Sequence, residues 1–222
     1  MAINKFELPY DIFPNPENSE DEGLVAYGGS LEPEVLLSAY LQGIFPWYSE
    51  PDPILWWSPN PRLILYPKDL KVSKSLKQKI RSAKFTIRFD TAFEEVIHAC
   101  ATVPRPGQEG TWITEDMVRA YMRLHALGYA HSVEVFLDNR LVGGLYGLTL
   151  GRVFCGESMF HKVPDASKTA FYYLCNHLRS LDYAFIDAQT PTDHLKSLGA
   201  IEIERKEFLK RLKSVVSLDV YW

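Results

Sequence analysis

Between residues 132 and 157 the hydrophobic pattern changes from a helical period to a period near two, and this change restricts the fold more than any other feature of the chain. It predicts three consecutive strands, at 132–137, 141–150 and 152–157, joined by short turns at 138–140 and at Gly151. Strands joined so closely form an antiparallel unit whose apolar face must be covered by other elements. The chain is therefore predicted to build its core around a sheet.

Helical spacing of apolar residues on both sides of these strands supplies elements that can cover the sheet. Helices are predicted at 33–42, 73–82, from 91 onward, 114–128, 165–180 and 192–198. Further strands are predicted at 84–89, 183–189 and 201–203. Capping boxes are predicted at Ser75 with Gln78 and at Thr91 with Glu94. This order predicts an α+β fold with a mixed sheet.

The first 62 residues differ from the rest because they are rich in proline, glycine and aromatic side chains. Apart from the helix at 33–42 they show no clear periodicity. We therefore expect a small irregular N-terminal domain over residues 1–62, held together by Trp47, Trp56 and Trp57. Residues 63–222 are expected to form the second, larger domain.

Composition and cysteine spacing indicate a cytoplasmic protein with no membrane partner. Of the 222 residues, 46% are hydrophobic, which is enough for a substantial core. Residues 1–13 contain one lysine and no long apolar run, unlike a signal peptide, and no segment reaches the roughly 18 apolar residues of a spanning helix. The three cysteines lie far apart, which is typical of reduced thiols in a core.

Charge is distributed unevenly along the chain. Residues 1–60 carry one base and ten acids, a net charge of −9, whereas residues 61–88 carry nine bases and one acid, a net charge of +8. In the helix predicted at 73–82, Lys74, Lys77 and Arg81 lie on one side, and Lys84 follows the helix. A block of one sign attracts phosphates, so nucleic-acid contact is predicted here, with an ordinary solvated face as the alternative.

The order of elements resembles the fold of N-acetyltransferases. Members that use coenzyme A carry an R/Q-x-x-G-x-G/A turn between the middle strand and the next helix, where backbone N–H groups bind the pyrophosphate. The corresponding residues 156–170, GESMFHKVPDASKTA, contain no such turn. An acyl donor other than coenzyme A is therefore indicated.

Several sequence strings resemble those of one family, the leucyl/phenylalanyl-tRNA–protein transferases. The most specific are ILWWSPNPR from Ile54 and FCGESMF from Phe154. The others are GLVAYGG from Gly23, GIFPWY from Gly43, GTWIT from Gly110, LVGGLYG from Leu141, ASKTA from Ala166, IDAQ from Ile186 and SLGA from Ser197. Because they follow one another over almost the whole chain, the resemblance is strong.

The resemblance implies an acetyltransferase-like domain with a small N-terminal domain, and it also implies a reaction. The α-amine of an acceptor protein's N-terminal Arg or Lys attacks the ester of an aminoacyl-tRNA. Leu or Phe, less readily Met, is added and marks the protein for degradation by the N-end rule. No cofactor or metal is implied, and the six histidines form no metal-binding pattern. The alternatives are a coenzyme A-dependent N-acetyltransferase, another aminoacyl-tRNA-dependent peptide ligase and a non-catalytic RNA-binding module.

Two carboxylates and an amide are the candidate catalytic and acceptor-binding groups. Asp187 and Gln189 are two residues apart in a predicted strand, so their side chains are expected on one face. The resemblance implies that Asp187 polarises Gln189, which draws the proton from the attacking amine. Because an amide is a very poor base, we interpret Gln189 as an orienting group. Glu157 is predicted to bind the acceptor's basic side chain or ammonium group. Hydrogen bonds at a sheet end and a rim salt bridge are the structural alternatives.

The resemblance also assigns a donor pocket and tRNA contacts. The predicted pocket residues, which periodicity alone assigns to the core, are Leu145, Phe154, Met159, Phe171, Leu174, Leu178 and Ile186. Trp47 and Trp112 match family tryptophans near the terminal adenosine of tRNA, where a base can stack on them. Trp56 and Trp57 are predicted to be core residues. The proline-rich stretch 103–109 is expected to alter the approach to Trp112.

Overall fold

The computed structural model describes residues 12–103 and 112–222, which form two sheets and seven α-helices within these ranges. The strands are β1 Leu24–Tyr27, β2 Phe45–Pro46, β3 Leu55–Trp57, β4 Arg62–Leu65, β5 Thr86–Phe89, β6 Ala130–Leu137, β7 Arg140–Leu150, β8 Val153–His161, β9 Phe185–Gln189 and β10 Ile201–Ile203. The helices are α1 Pro33–Leu41, α2 Lys74–Arg81, α3 Phe93–Thr102, α4 Glu115–Ala126, α5 Ala166–Ser180, α6 Asp193–Ser197 and α7 Arg205–Val215.

The larger sheet has seven strands in the order β10-β4-β9-β8-β7-β6-β5. Strands β5 to β8 form the antiparallel meander, and β8 pairs with β9 in parallel through the crossover helix α5. Strands β4 and β10 extend the sheet antiparallel beyond β9. The predicted α+β class and mixed sheet are confirmed.

Helices cover both faces of this sheet. Helix α3 packs on β7 and β8, whereas α5 packs on β6 and β7. The neighbouring residues Leu145 and Tyr146 on β7 point to opposite faces and belong to two different apolar clusters. The cluster that contains Leu145 includes residues of α5, and the cluster that contains Tyr146 includes residues of α1, α3, α4 and α7. Both faces of these strands are therefore buried, because helices lie on both sides of the sheet.

The N-terminal region is more regular than its sequence indicated. Strands β1, β3 and β2 form a small antiparallel sheet in that order, with α1 between β1 and β2. Trp56 is buried and its indole N–H donates to the Gly28 carbonyl over 2.9 Å. Trp57 is half-buried and packs against the edge of the same core. The boundary at residue 62 stays a prediction, although β4 of the larger sheet begins at that residue.

The predicted helices and meander strands are found within a few residues of the expected bounds, but both capping boxes were wrong. The hydroxyl of Ser73 caps α2 by accepting from the Leu76 N–H over 3.2 Å. Helix α3 begins at Phe93, and the Thr91 hydroxyl donates to Glu134 across the sheet edge instead. Helix α7 and strand β4 were not predicted. None of the described helices is long and apolar enough to cross a membrane.

Candidate active site

A cavity of about 850 Å³ opens where the small sheet faces the ends of β8 and β9. One end is lined by apolar side chains of β7, β8, β9 and α5, and the mouth is lined by residues of the small sheet, by Trp112 and by α6. Glu157 and Gln189 line the space between them. The volume suits a ligand of small-molecule size.

The cavity exists because β8 and β9 separate. Their pairing ends at Cys155 and Asp187, although β8 continues to His161. Glu157 is the extra residue of a β-bulge, since Gly156 pairs with Gly147 and Ser158 pairs with Tyr146. A bulge redirects the side chain of its extra residue and reverses the alternation beyond it. As a result, Glu157 lies at the point where the two strands diverge.

A second bulge lies on the other side of the opening. Leu63 pairs with Gln189 and Ile64 pairs with Asp187, so Ala188 is the extra residue on β9. Gln189 has φ 62°, which is unusual for a residue other than glycine. Its backbone N–H donates to Asp187 Oδ1 over 3.0 Å, and its side-chain Nε2 donates to Glu157 Oε1 over 2.9 Å. The side chain of Gln189 thus bonds to Glu157, while Asp187 binds its backbone.

Glu157 is buried among hydrogen-bond donors. The Tyr40 hydroxyl donates to Oε1 over 2.8 Å, and the Tyr121 hydroxyl donates to Oε2 over 3.0 Å. Burial raises the pKa of the Glu157 carboxyl to about 7, opposed by the tyrosine hydrogen bonds and increased by the charge of Asp187. Burial also raises the pKa of both tyrosines well above the usual value, so they stay protonated donors. A carboxyl with such a pKa gains and loses a proton near neutral pH.

Asp187 is held by a fully buried arginine. Arg62 Nε and Nη2 donate to the two oxygens of Asp187 over 2.8 and 2.7 Å. The guanidinium lies between the rings of Phe45 and Phe208, at 4.8 and 4.4 Å from their centroids. Arg62 belongs to the basic block at residues 61–88, but it is inaccessible to phosphates because it is fully buried. A bidentate, desolvated pair of this kind holds its partner in one geometry.

Six of the seven predicted pocket residues line the apolar end of the cavity, namely Leu145, Phe154, Met159, Phe171, Leu174 and Ile186. Met159 reaches the same side of the sheet as Phe154 because the bulge at Glu157 lies between them. The seventh, Leu178, does not line the cavity. It is fully buried in the core between α5 and the sheet, one helical turn beyond Leu174.

Three tryptophans stand at the mouth of the cavity. Trp47 is 46% exposed, and its ring lies edge-on to Trp57 at 6.1 Å. Trp112 is half-buried and lines the same mouth. Most of the stretch 103–109 lies outside the described residues, as does the start of the chain up to residue 11. Exposed aromatic faces beside a cavity provide surfaces on which a nucleobase can stack.

The residues predicted to bind phosphates lie on or next to the exposed helix α2, apart from the hydrogen-bonded polar centre around Glu157. Lys74, Lys77 and Arg81 on α2 are solvent-exposed, and so is Lys84 after it. Lys79 on the same helix is paired with Asp165, just before α5. Helix α2 therefore presents exposed positive charges, which suit contact with a polyanion.

Sequence reasoning missed Tyr40, Tyr121 and Arg62. The two tyrosines lie in helices at positions with ordinary core spacing, and they are 81 residues apart in the chain. Their meeting at Glu157 is a consequence of tertiary packing alone. Arg62 had a local signal, because a single basic residue begins the otherwise apolar strand RLIL. Among the described residues, no group of three or more His, Cys, Asp or Glu side chains is placed to bind a metal ion.

Comparison with known proteins gives consistent matches. The model of the leucyl/phenylalanyl-tRNA protein transferase family matches residues 64–213, and that of its N-terminal domain matches residues 29–60. Proteins named leucyl/phenylalanyl-tRNA–protein transferase are 56% identical in Maridesulfovibrio salexigens (90% of this chain and 84% of that one) and 52% identical in Legionella pneumophila (94% and 95%). A solved ribosomal-protein-alanine N-acetyltransferase from Brucella melitensis has 10% identity and a TM-score of 0.36, over 62% of this chain and 96% of that one. A likeness that distant supports no functional argument.

Proposed function

Because the chain belongs to the family of leucyl/phenylalanyl-tRNA–protein transferases, we propose that its cavity transfers leucine or phenylalanine from tRNA to the N-terminus of another protein. The family predicted from the sequence strings is confirmed, and with it the class of enzyme, an aminoacyltransferase that uses charged tRNA. The observation that supports the proposed site is a single space with an apolar end and a buried carboxylate beside it.

The apolar end would hold the side chain of the donor amino acid. The described side chains that line this end are apolar and offer contacts to Leu, Phe or Met, whereas Glu157 lies beyond them toward the mouth. A charged donor side chain would have to be desolvated without a partner, which is strongly unfavourable. A β-branched side chain changes shape next to the ester, where positioning matters most. The terminal base of the tRNA would stack on Trp47 and Trp112 at the mouth.

Glu157 would bind the acceptor's N-terminal ammonium group or the basic side chain of its Arg or Lys. A carboxylate binds either cation through charge-assisted hydrogen bonds. Asp187 is unsuited to this role, because Arg62 already neutralises its charge and Asp187 does not line the cavity. The preference for acceptors that begin with Arg or Lys would depend on Glu157 only through contact with the basic side chain, because every acceptor has an N-terminal ammonium group.

We also assign proton transfer to Glu157. The acceptor's ammonium group gives one proton to the carboxylate, and the amine nitrogen then attacks the ester carbonyl carbon. When the tetrahedral intermediate collapses, the bond to the ribose oxygen of tRNA breaks and that oxygen takes the second proton of the nitrogen. A pKa of about 7 makes Glu157 a far better base than the amide of Gln189.

Gln189, Asp187 and Arg62 would position this base. Arg62 fixes Asp187, Asp187 accepts from the backbone N–H of Gln189, and the side-chain amide of Gln189 donates to Glu157. The resemblance implied that Asp187 polarises Gln189, which draws the proton from the amine. We propose instead that Gln189 orients Glu157. The body of the tRNA would contact α2. The reaction would take place in the cytoplasm, where charged tRNA is made.

The proposal is tested with one tRNA charged with leucine and a peptide beginning with arginine. Mass spectrometry should find the peptide heavier by one leucine residue, and a peptide beginning with glutamate should stay unmodified. A preparation that adds leucine equally to both peptides would refute the role given to Glu157 in acceptor choice. A preparation that adds nothing to either peptide would refute the proposed activity.

A further inference from the structure

Trp222 packs against the outer side of the donor cavity, at a place that the proposed reaction does not involve. Its indole stacks on His131 at 4.4 Å and lies parallel to Phe154 at 5.9 Å, with an interplanar angle of 20°. It also contacts His177 at 4.8 Å and Phe89 at 5.9 Å, edge to face. Trp222 itself does not line the cavity, whereas Phe154 does.

The segment that carries Trp222 is attached to the sheet at several points. The Gly151 N–H donates to the Asp219 carbonyl over 2.9 Å, and the Tyr183 hydroxyl donates to the Tyr221 carbonyl over 2.6 Å. Leu218 is buried in the core. The residues after α7 therefore place the indole at a defined position.

Phe154 is restrained from two directions. On one side it meets the backbone of β7, where a Cβ on Gly147 would come within 2.6 Å of its ring. On another side it meets Trp222, which is in turn held by His131, whose Nδ1 lies 2.7 Å from Asp90 Oδ2. A buried ring packed in this way can move only if one of its neighbours moves.

We propose that Trp222 is a positioning residue that sets the size of the donor pocket by fixing the ring of Phe154. The inference rests on the proposed function of the apolar end of the cavity. With the indole in place, the pocket fits Leu and Phe and rejects a larger side chain. Without it, Phe154 moves into the vacated space and the pocket accepts a bulkier donor.

The test measures donor choice rather than activity. One tRNA body is charged with Leu, Phe or Trp, and kcat/KM is measured for each donor with the same acceptor peptide. All donors report on the same folded fraction, so a ratio of two values is insensitive to a loss of stability. The variants are Trp222→Ala, Trp222→Phe, the pocket variant Leu174→Ala, and Val220→Ala as a control on the same segment.

Trp222→Ala should raise the Trp-to-Leu ratio of kcat/KM by roughly fivefold or more, on the scale of one altered pocket contact. Trp222→Phe should retain most of the wild-type ratio, and Val220→Ala should not change it. If Leu174→Ala shifts the ratio and Trp222→Ala does not, the role of Trp222 is refuted while the pocket stands. If neither variant shifts the ratio, the pocket itself is refuted, and the inference with it.

Discussion

The polar centre around Glu157 and the basic helix α2 use charge in opposite ways. At the polar centre Arg62 and Asp187 are almost fully buried, and Glu157 is surrounded by donors. On α2 the cations are exposed to solvent. A buried charge depends on its counter-ion and hydrogen bonds, whereas exposed charges act together through a field that salt screens.

The two regions should therefore respond differently to substitution. At the polar centre one side chain determines the geometry of the next, from Arg62 to Asp187, Gln189 and Glu157. A single change there should have a large and non-additive effect. On α2 each charge should contribute a small and nearly independent share to tRNA binding. The predictions below test this contrast.

The largest effect is expected from Arg62→Met, which leaves Asp187 buried without a counter-ion. The free energy of unfolding should fall by about 3–5 kcal/mol, the usual cost of breaking a buried pair from one side. Urea denaturation followed by circular dichroism measures this. Adding Asp187→Asn should restore much of the loss, because the unpaired charge is gone. An unchanged urea midpoint in Arg62→Met would show that the pair does not stabilise the fold.

Glu157→Gln should lower kcat by roughly 10²-fold or more, because an amide cannot take the ammonium proton. Single-turnover kinetics with an aminoacyl-adenosine donor measures the chemical step without the tRNA body. Glu134→Gln is the matched control, since Glu134 is fully buried and hydrogen-bonded but does not line the cavity. Equal rates in the two variants would remove Glu157 from the chemistry.

Reversing the exposed charges of α2 should weaken binding of aminoacyl-tRNA. The triple variant Lys74→Glu, Lys77→Glu and Arg81→Glu is expected to raise KM for charged tRNA roughly tenfold at low salt and to flatten its salt dependence. Transfer from aminoacyl-adenosine should stay unchanged.

The matched control for α2 reverses three exposed lysines of α7, Lys206, Lys210 and Lys213. It makes the same change in net charge at a different surface. A similar rise in KM in both triple variants would mean that overall charge, and not α2, governs binding.

The smallest effect concerns the pH dependence of stability. The pKa of Glu157 rises from 4.5 to about 7 on folding, so its contribution to stability is full below pH 4.5 and is lost as the pH rises through 7. Glu157→Gln removes this loss. The difference in Tm between Glu157→Gln and wild type should therefore shift in favour of the variant by a few degrees between pH 4.5 and pH 8. An equal Tm difference at both pH values would contradict the raised pKa.

Most regular elements of the larger sheet and its helices could be predicted from the sequence because each is determined by its own residues, although α7 and β4 were not predicted. Alternating apolar positions predicted β6 to β8, and helical spacing predicted α1, α2, α4 and α5. The bulge at Glu157 could not be predicted in this way, because one extra residue changes which face each later side chain occupies. The glycines at 147 and 156 were the only local sign of it.

The site was partly predictable for a similar reason. Sequence strings predicted roles for Glu157, Asp187 and Gln189, which lie together in the structure, but their partners come from distant elements. Tyr40 has the pattern of an ordinary core residue, and only packing brings it to Glu157. A pocket residue and a core residue also have the same periodicity, so Leu178 could not be separated from Leu174.

Whether Glu157 is the base can be decided by the pH profile of single-turnover transfer with two acceptor peptides whose α-amines differ in pKa. For wild type, the rate should rise with an apparent pKa near 7 for both peptides, because Glu157 must be ionised. In Glu157→Gln this rise should disappear and leave only the titration of each peptide's amine. A Glu157→Gln profile that keeps the wild-type rise near pH 7, or a wild-type profile that follows the amine pKa of each peptide, would show that Glu157 is not the base.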